Sequence, residues 1–579
     1  MNRKTFADFF RNRLSDNPAR YLWVILSVFS LFGIIEIPYS TTLQQPQWLL
    51  YIYIVVIALF KGFVLTALIM AASPKKWLLS VVWLLTGLYM LFCLINFLSF
   101  VLYGFGITHR LITILSQTNL REIREFTQDL CYQIFSAKFI LCTGGSAVLI
   151  WMVCMFLRTI RRRLYLGILY TTSVVGLLIL ILCFASFNSR AALIMGIRIP
   201  KNIVNTINEN REYQKILDSK RPLPYADKVE STRQPLTIVM IVGESAHRRH
   251  LQLYGYPLPT TPQLWSMRDS LFVFSDAIAS SQSTAGNLER ILSLKTDDET
   301  CGDWYKFPLV YDIFNAAGFK TFWLSNQERK GIVSDASGVM ADGADVVNYV
   351  SIESSEDAYA YRYDDVLLPY VKEALDDKAE AKFIGIHLLG SHSDYRNRYP
   401  KDEEIFTSED ILRQLPRPWL DKKKAAIVAQ YDNSIHFTDK LLGEILKQCS
   451  AMPTPAILLY FSDHGEMVYD TDDFKGRNSQ CVEVPFMVYA NYSFRIKHED
   501  KIHKLSHAIA LPISTATIPF ALLTLADIRY PLYDASNDFL SGRYKIRARM
   551  VDEKIWIYET VEIKKRDSRQ TIKNFTIDN

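Results

Sequence analysis

Two places in this 579-residue chain set metal-ligand residues directly behind an apolar run. Ala456-Ile457-Leu458-Leu459-Tyr460-Phe461 leads into Ser462-Asp463-His464-Gly465. Far upstream, Leu236-Thr237-Ile238-Val239-Met240-Ile241-Val242 leads into Gly243-Glu244-Ser245. Carboxylate and imidazole are ligands for divalent ions, and the end of a buried strand is a rigid place to hold them. Glu244, Asp463 and His464 together suit zinc or manganese, with an open position for a nucleophile. A bound dication helps a hydroxyl ionise and offsets charge on a phosphoryl oxygen. Such a site asks for a hydroxyl at a loop or helix start. Ser280-Ser281-Gln282-Ser283-Thr284-Ala285-Gly286-Asn287 offers several. It precedes a helix-like stretch, Leu288 to Leu294, whose first amides could hold a phosphate. On the residues alone, an N-cap or polar turn is the favoured reading of any one of these hydroxyls.

The elements that must position these groups are legible after residue 236. Short apolar runs at 236–242, 319–324, 382–388, 456–461 and 484–489 read as strands buried on both faces. Helical patterns at 308–317, 364–375 and 424–448 lie between them. This alternation predicts an α/β sandwich with a largely parallel sheet. In such folds the site lies beyond the carboxyl ends of the strands. The polar residues expected there are Glu244, Asn326, His392, Asp463 and His464.

The first third of the chain differs. Apolar stretches near 21–42, 48–72, 77–105, 131–157 and 164–186 each reach the roughly 20 residues that span a bilayer. Lys61, inside the second, is expected to snorkel or face other helices. Basic residues mark alternate ends: Arg3, Lys4, Arg11, Arg13 and Arg20, then Lys75 and Lys76, then Arg158, Arg161, Arg162 and Arg163. The opposite ends carry only Arg110, Arg121 and Arg124. The basic side is cytoplasmic by the positive-inside rule, so an odd number of spans delivers the C-terminal part outside. In a bacterium with two membranes that is the periplasm. The net charge of +5 averages over these juxtamembrane clusters and does not indicate a nucleic-acid partner. The organisation expected is a five-span α-helical membrane domain at 1–187, a connector at 188–235 and a catalytic domain at 236–579. Ile197, Ile199, Ile203, Val204 and Ile207 make part of the connector either a membrane-surface helix or one packed on the soluble domain.

Several other residues bear on the site. Cys301, Cys449 and Cys481 of the soluble part fit no zinc spacing and are expected as buried thiols. His387 falls within a strand pattern and reads as a core residue. His436 reads as structural, and His498, His503 and His507 as exposed. His247 and Arg248 receive no role. Tyr395, Arg396, Arg398 and Tyr399 are expected to be solvated, with contact to an anionic acceptor as the alternative.

Val242-Gly243-Glu244-Ser245-Ala246-His247-Arg248, Leu253-Tyr254-Gly255-Tyr256-Pro257 and Thr260-Thr261-Pro262 closely resemble the opening motif of the bacterial phosphoethanolamine transferases. That family lies in the sulfatase branch of the alkaline phosphatase superfamily. Ser283-Thr284-Ala285, Trp323-Leu324-Ser325-Asn326-Gln327, Gly390-Ser391-His392 and Ser462-Asp463-His464-Gly465-Glu466 follow in the family's order. The resemblance implies an alkaline phosphatase/sulfatase-like fold for the soluble domain. It implies that Glu244, Thr284, Asp463 and His464 bind a zinc ion and that Thr284 is the nucleophile. Thr284 would take phosphoethanolamine from phosphatidylethanolamine and pass it to a periplasmic glycan or lipid acceptor: lipopolysaccharide lipid A or core, or periplasmic glucan. Asn326, His392 and Lys330 would contact the phosphoryl group or the acceptor. The chain would act as a monomer among the lipids of the bacterial inner membrane.

One departure stands out. Many relatives carry a further histidine about ten residues after the Asp-His-Gly-Glu motif, and here Phe474 stands near that place, which leaves a second, substrate-bridging ion open. The rival readings are a glycerol-phosphate transferase of the lipoteichoic-acid synthase type and a non-catalytic membrane sensor. A hydrolytic sulfatase would need a Cys/Ser-x-Pro-x-Arg motif, absent from 281–287.

Overall fold

The computed structural model describes residues 17–34, 47–103, 171, 174–175, 222–232, 234–297, 304–327, 340–350, 362–471, 479–551 and 556–558. The chain divides into two compact units, Met1–Gln214 and Lys215–Asn579.

In the first unit, three helices are described: α1 (Asn17–Ile34), α2 (Gln47–Ala72) and α3 (Lys76–Tyr103). Two of them contain windows long and apolar enough to cross a membrane, Val55–Ala72 and Lys76–Phe97. The first expected span corresponds to α1, and the fourth and fifth lie almost entirely outside the described residues. Small residues let α1 and α2 meet closely: a Cβ on Gly62 would run into Ser27. Trp77, Leu84, Leu85 and Leu88 of α3 are exposed, an apolar face of the kind lipid covers. Lys61 is half-buried.

The second unit is built on a seven-stranded sheet. Its strands are β1 (Leu236–Gly243), β2 (Leu271–Val273), β3 (Lys320–Ser325), β4 (Val346–Tyr349), β5 (Ala381–His387), β6 (Ala456–Ser462) and β7 (Phe486–Ala490). Their order is β2-β7-β6-β1-β5-β3-β4. Pairing is parallel from β6 through β4, and antiparallel where β7 joins β6 and β2 joins β7. Every residue of β1 and β6 is buried. Both sheet faces are covered, so these strands read as unbroken apolar runs rather than alternating ones. Val239, Ile241, Ile384, Ile386, Leu458 and Tyr460 form one core with Leu441, Leu442 and Ile445 of the long helix α7 (Lys422–Ser450). On the other face Phe314, from α5 (Val310–Ala316), stacks on Phe383 with ring centroids 4.2 Å apart.

The register sets the site. Gly243 pairs with Ser462, Val242 with His387, and Ser325 with His387. Four parallel strands therefore end flush, and the residues that follow them emerge side by side. The short strands β2 and β4 escape sequence reading because they are only three and four residues long. Of the expected connector helix, residues 197–207 lie outside the described residues.

Candidate metal and phosphoryl-transfer site

Glu244, Asp463 and His464 converge at the flush ends of β1 and β6, with ligand atoms all within 4.8 Å of one another. Glu244 and Asp463 are buried, and the His464 side chain keeps 16% exposure. His464 Nδ1 lies 3.0 Å from the Gly465 carbonyl. A carbonyl only accepts, so Nδ1 carries hydrogen and Nε2 is turned to the carboxylates. Nε2 stands 3.3 Å from Glu244 Oε1 and 3.6 Å from Asp463 Oδ2. Zinc ligands at about 2.0–2.2 Å in tetrahedral array stand about 3.3–3.5 Å apart, the spacing found here.

The donor chemistry fits a cation as well. Asp463 Oδ1 accepts from the backbone N–H groups of Ser245 at 3.1 Å and His464 at 2.6 Å. Its Oδ2 is buried with no hydrogen-bond partner. Burial and the neighbouring Glu244 charge push the Asp463 carboxyl up. Burial opposes charge on Glu244 too, yet its hydrogen bond to His464 and the charges of His464 and His392 hold it well below the usual carboxylate range. Burial likewise opposes charge on His464, but Asp463 and Glu244 raise it well above its ordinary value. Two carboxylates thus share one imidazolium, a role a dication can take over.

The hydroxyl comes from the segment in which sequence left the choice open. Helix α4 (Thr284–Ile291) starts four residues before the expected stretch, placing Thr284 in its first turn. Thr284 is half-buried, and its hydroxyl donates to Glu244 Oε2 at 3.0 Å. The other hydroxyls are engaged elsewhere: Ser280 Oγ lies 2.9 Å from Ser514 Oγ, and Ser281 Oγ 3.1 Å from Ser283 Oγ.

Of the remaining expected residues, His392 is half-buried, and its charge acts on Glu244. Asn326 is buried behind the site, and its amide donates to Arg362 O at 3.1 Å and Asp364 Oδ1 at 2.9 Å. Lys330 and Phe474 lie outside the described residues. His387 is buried against Trp323, as a core residue should be.

Sequence reasoning missed the residues that hold the ligands. Gln327 donates to Glu244 Oε2 at 3.1 Å, and Ser245 Oγ to Glu244 Oε1 at 2.7 Å. Asp364 accepts from the amides of Leu389 and Gly390, both at 2.8 Å, and so fixes the turn leading to His392. Gly390 (φ +50°) packs so close that a Cβ would meet Glu244 O at 2.8 Å. Ser245 is left-handed at φ 59°, an uncommon place for a non-glycine. Tyr431 holds it, donating to Ser245 O at 2.7 Å while accepting from His247 N at 2.8 Å. Nothing local in the sequence pairs this tyrosine with a residue so distant.

Two expectations need correction. The loop Tyr395–Tyr399 is not a solvated basic surface: Tyr395, Arg398 and Tyr399 are buried. Arg398 donates to the carbonyls of His392 at 3.1 Å and Ser393 at 2.7 Å, and Tyr395 donates to Glu466 Oε2 at 2.8 Å. His498 is buried rather than exposed, packing on Phe494 with ring centroids 4.6 Å apart. Cys449 is a buried thiol pushed up to about 12 by burial, Cys481 is also buried, and Cys301 lies outside the described residues.

The parallel sheet thus carries the Glu244–Asp463–His464 group at its flush ends, facing the Thr284 hydroxyl at a helix start. The sulfatase family model matches residues 236–527, half of the chain, and the chain belongs to that family. Within it the chain belongs among the bacterial phosphoethanolamine transferases. It is 28% identical over 501 residues to phosphoethanolamine transferase EptC of Escherichia coli O18:K1:H7, covering 78% of this chain and 81% of that relative. It is 30% identical over 328 residues to phosphoethanolamine transferase CptA of Salmonella typhimurium, covering 55% of each. The C-terminal periplasmic domain of Escherichia coli EptC, solved in complex with zinc, superposes with TM-score 0.53 at 28% identity, over 59% of this chain and 97% of that one. The integral membrane protein EptA of Neisseria meningitidis shares the fold, with TM-score 0.62 at 20% identity over 90% of this chain and 97% of that one.

Proposed function

We propose that this chain is a zinc-dependent phosphoethanolamine transferase of the bacterial inner membrane. Five spans anchor it, with the N-terminus cytoplasmic and residues 236–579 in the periplasm. The observation that carries the reading is the Thr284 hydroxyl, in the first turn of α4, hydrogen-bonded at 3.0 Å to a carboxylate of the triad. The two membrane-length helices and the likeness to a zinc-bound periplasmic domain support the setting.

Glu244, Thr284, Asp463 and His464 would hold the zinc ion. When bound, it supplies a lowered hydroxyl pKa and a counter-charge for phosphoryl oxygen. Glu244 accepts from the Thr284 hydroxyl at Oε2. Its work is to orient the hydroxyl, and Gln327 and Ser245 keep it in place. Thr284 Oγ1 attacks the phosphorus of phosphatidylethanolamine, and the bond to the diacylglycerol oxygen breaks. Thr284 gives up its hydroxyl proton, the departing diacylglycerol oxygen takes one up, and phosphoethanolamine is left on Thr284. An acceptor hydroxyl then attacks the same phosphorus and frees Thr284. The first amides of α4 and the imidazole of His392 face the charge that develops. Asn326 serves from behind by holding Asp364, which holds the His392 turn. Lys330 is assigned to the phosphoryl group or the acceptor. The acceptor is a periplasmic glycan or lipid.

Intact-protein mass spectrometry after incubation with phosphatidylethanolamine and zinc tests the reading. We expect one phosphoethanolamine on Thr284, absent in Thr284→Ala and after chelation. An adduct on another residue, or none on a folded and zinc-loaded protein, would overturn the nucleophile assignment. A glycerol-phosphate adduct from phosphatidylglycerol instead would favour the lipoteichoic-acid-synthase type of reaction.

A further inference from the structure

A second group of ligand residues lies behind the first. His247, His250 and Asp470 bring their ligand atoms within 4.8 Å of one another. Both histidines are wholly buried, and the Asp470 side chain is 7% exposed. His250 is oriented as a metal ligand would be. Its Nδ1 meets Asp432 Oδ1 at 2.7 Å, and Asp432 also accepts from Tyr256 at 2.8 Å. A carboxylate that fixes one imidazole nitrogen leaves the other free to ligate. That other nitrogen, Nε2, lies 3.3 Å from Asp470 Oδ2. His247 Nδ1 lies 3.6 Å from the same oxygen. Both spacings match the roughly 3.3–3.5 Å edge of a tetrahedral zinc site.

The independent sign is His247. Neither of its ring nitrogens has a hydrogen-bond partner although the ring is fully buried. Leaving a wholly buried imidazole unsatisfied is costly, so it needs an explanation. The simplest rival is an ion-pair network, with a protonated His250 between Asp432 and Asp470. That accounts for His250 but brings His247 no closer than 3.6 Å to Asp470 and 3.9 Å to Glu483, too far for a hydrogen bond at either nitrogen. An ion bound by Asp470 Oδ2 and both imidazoles accounts for all three. The charge balance permits it: Asp470 Oδ1 already meets Arg417 at 3.2 Å, and Glu483, on the far side of His247, is matched by Arg249 at 2.7 Å.

We propose that His247, His250 and Asp470 form a second divalent-metal site, of zinc class, separate from the Glu244–Asp463–His464 group. Two imidazoles and one carboxylate suit zinc among the available ions. Among the described residues both imidazoles are wholly buried, so the site's part is structural. Its ligands lie three and six residues beyond Glu244 and six beyond His464. The ion would tie the two ligand-bearing loops together from behind.

The test is zinc stoichiometry of the full-length protein in detergent. The protein is stripped by chelation, equilibrated with zinc, dialysed and analysed by mass spectrometry of the metal. Wild type should hold two ions per chain. The double variant Glu244→Gln/Asp463→Asn should keep one, and its X-ray absorption should report two imidazole ligands. Adding His247→Gln, close in size to histidine, should remove that ion, with circular dichroism checking that the fold persists. If the triple variant does not fold, the absorption spectrum of the double variant decides alone. A single wild-type ion that disappears in the double variant would overturn the second site and leave the transferase reading intact. Retention of the ion in a folded triple variant, or a spectrum without two imidazoles, would overturn it as well. A single ion lost with His247→Gln but kept in the double variant would support this site and remove the metal from the transferase reading.

Discussion

The two histidine–carboxylate groups differ in what surrounds them more than in what they contain. Each has at least one imidazole and one carboxylate at tetrahedral spacing. The first keeps an exposed edge at His464 and faces the Thr284 hydroxyl. The second is sealed, and its outer partners are Asp432, Arg417 and Glu483. Closed metal sites hold structure and open ones do chemistry. In this chain, then, placement along the sheet edge would separate the two proposed roles. The open group stands at the strand ends, and the closed one is a few residues further along the same two loops.

That contrast can be broken at either group. The largest effect is expected from Asp463→Asn, which removes a ligand carboxylate. Transfer to a glycan acceptor should fall by about 10³-fold or more, while thermal stability, followed by calorimetry, changes far less. Activity near wild type would erase the distinction. His250→Leu should do the reverse. It strands Asp432 and Asp470 as buried charges, and breaking such pairs costs about 3–5 kcal/mol. Chemical denaturation should show that loss, and an unaltered midpoint would refute it. Gln327→Leu sharpens the comparison, since of the two groups Gln327 meets the open one, its amide also donating to Leu388 O at 3.0 Å. Losing its hydrogen bond to Glu244 should weaken zinc affinity or turnover by about 10–100-fold, with KM for the lipid donor little changed.

The smallest effect is a control outside both groups. Asp439 caps the short helix Pro262–Ser266, accepting from Gln263 N at 2.7 Å and Leu264 N at 3.0 Å. Burial nevertheless pushes its carboxyl up to about 7. The unfolded carboxyl titrates near pH 4, so between about pH 4 and 7 the folded state binds more protons. Stability contributed by Asp439 therefore falls as pH rises through that window and is level above it. Asp439→Asn should flatten the fall, by about 1.4 kcal/mol per pH unit at most, in unfolding curves taken at several pH values.

Much of this was legible in sequence, and the misses have a common cause. β1, β3, β5, β6 and β7 match apolar runs within two residues because strands buried on both faces need continuous apolar side chains. Glu244, Asp463 and His464 could be read because each follows such a run directly. Gln327 and Asp364 could not, because their partners are set by sheet register rather than by neighbours in sequence. His247 and His250 were visible as types, but Asp470 meets them only through tertiary folding. The 395–399 loop misled because its charge suggests solvent, whereas Arg398 satisfies carbonyls that the fold has buried.

The position of β6 carries a consequence for how the protein is made. It lies between β1 and β7, and the bond from Ser245 N to Asp463 Oδ1 joins residues 218 apart in sequence. When Glu244 and Thr284 leave the ribosome, the residues that complete their site have yet to be synthesised. Pairings so remote in sequence form slowly. A zinc ion at the proposed site would therefore be captured only late, by a nearly finished domain, and a chain interrupted before β6 would lack both Asp463 and His464 and the strand between β1 and β7.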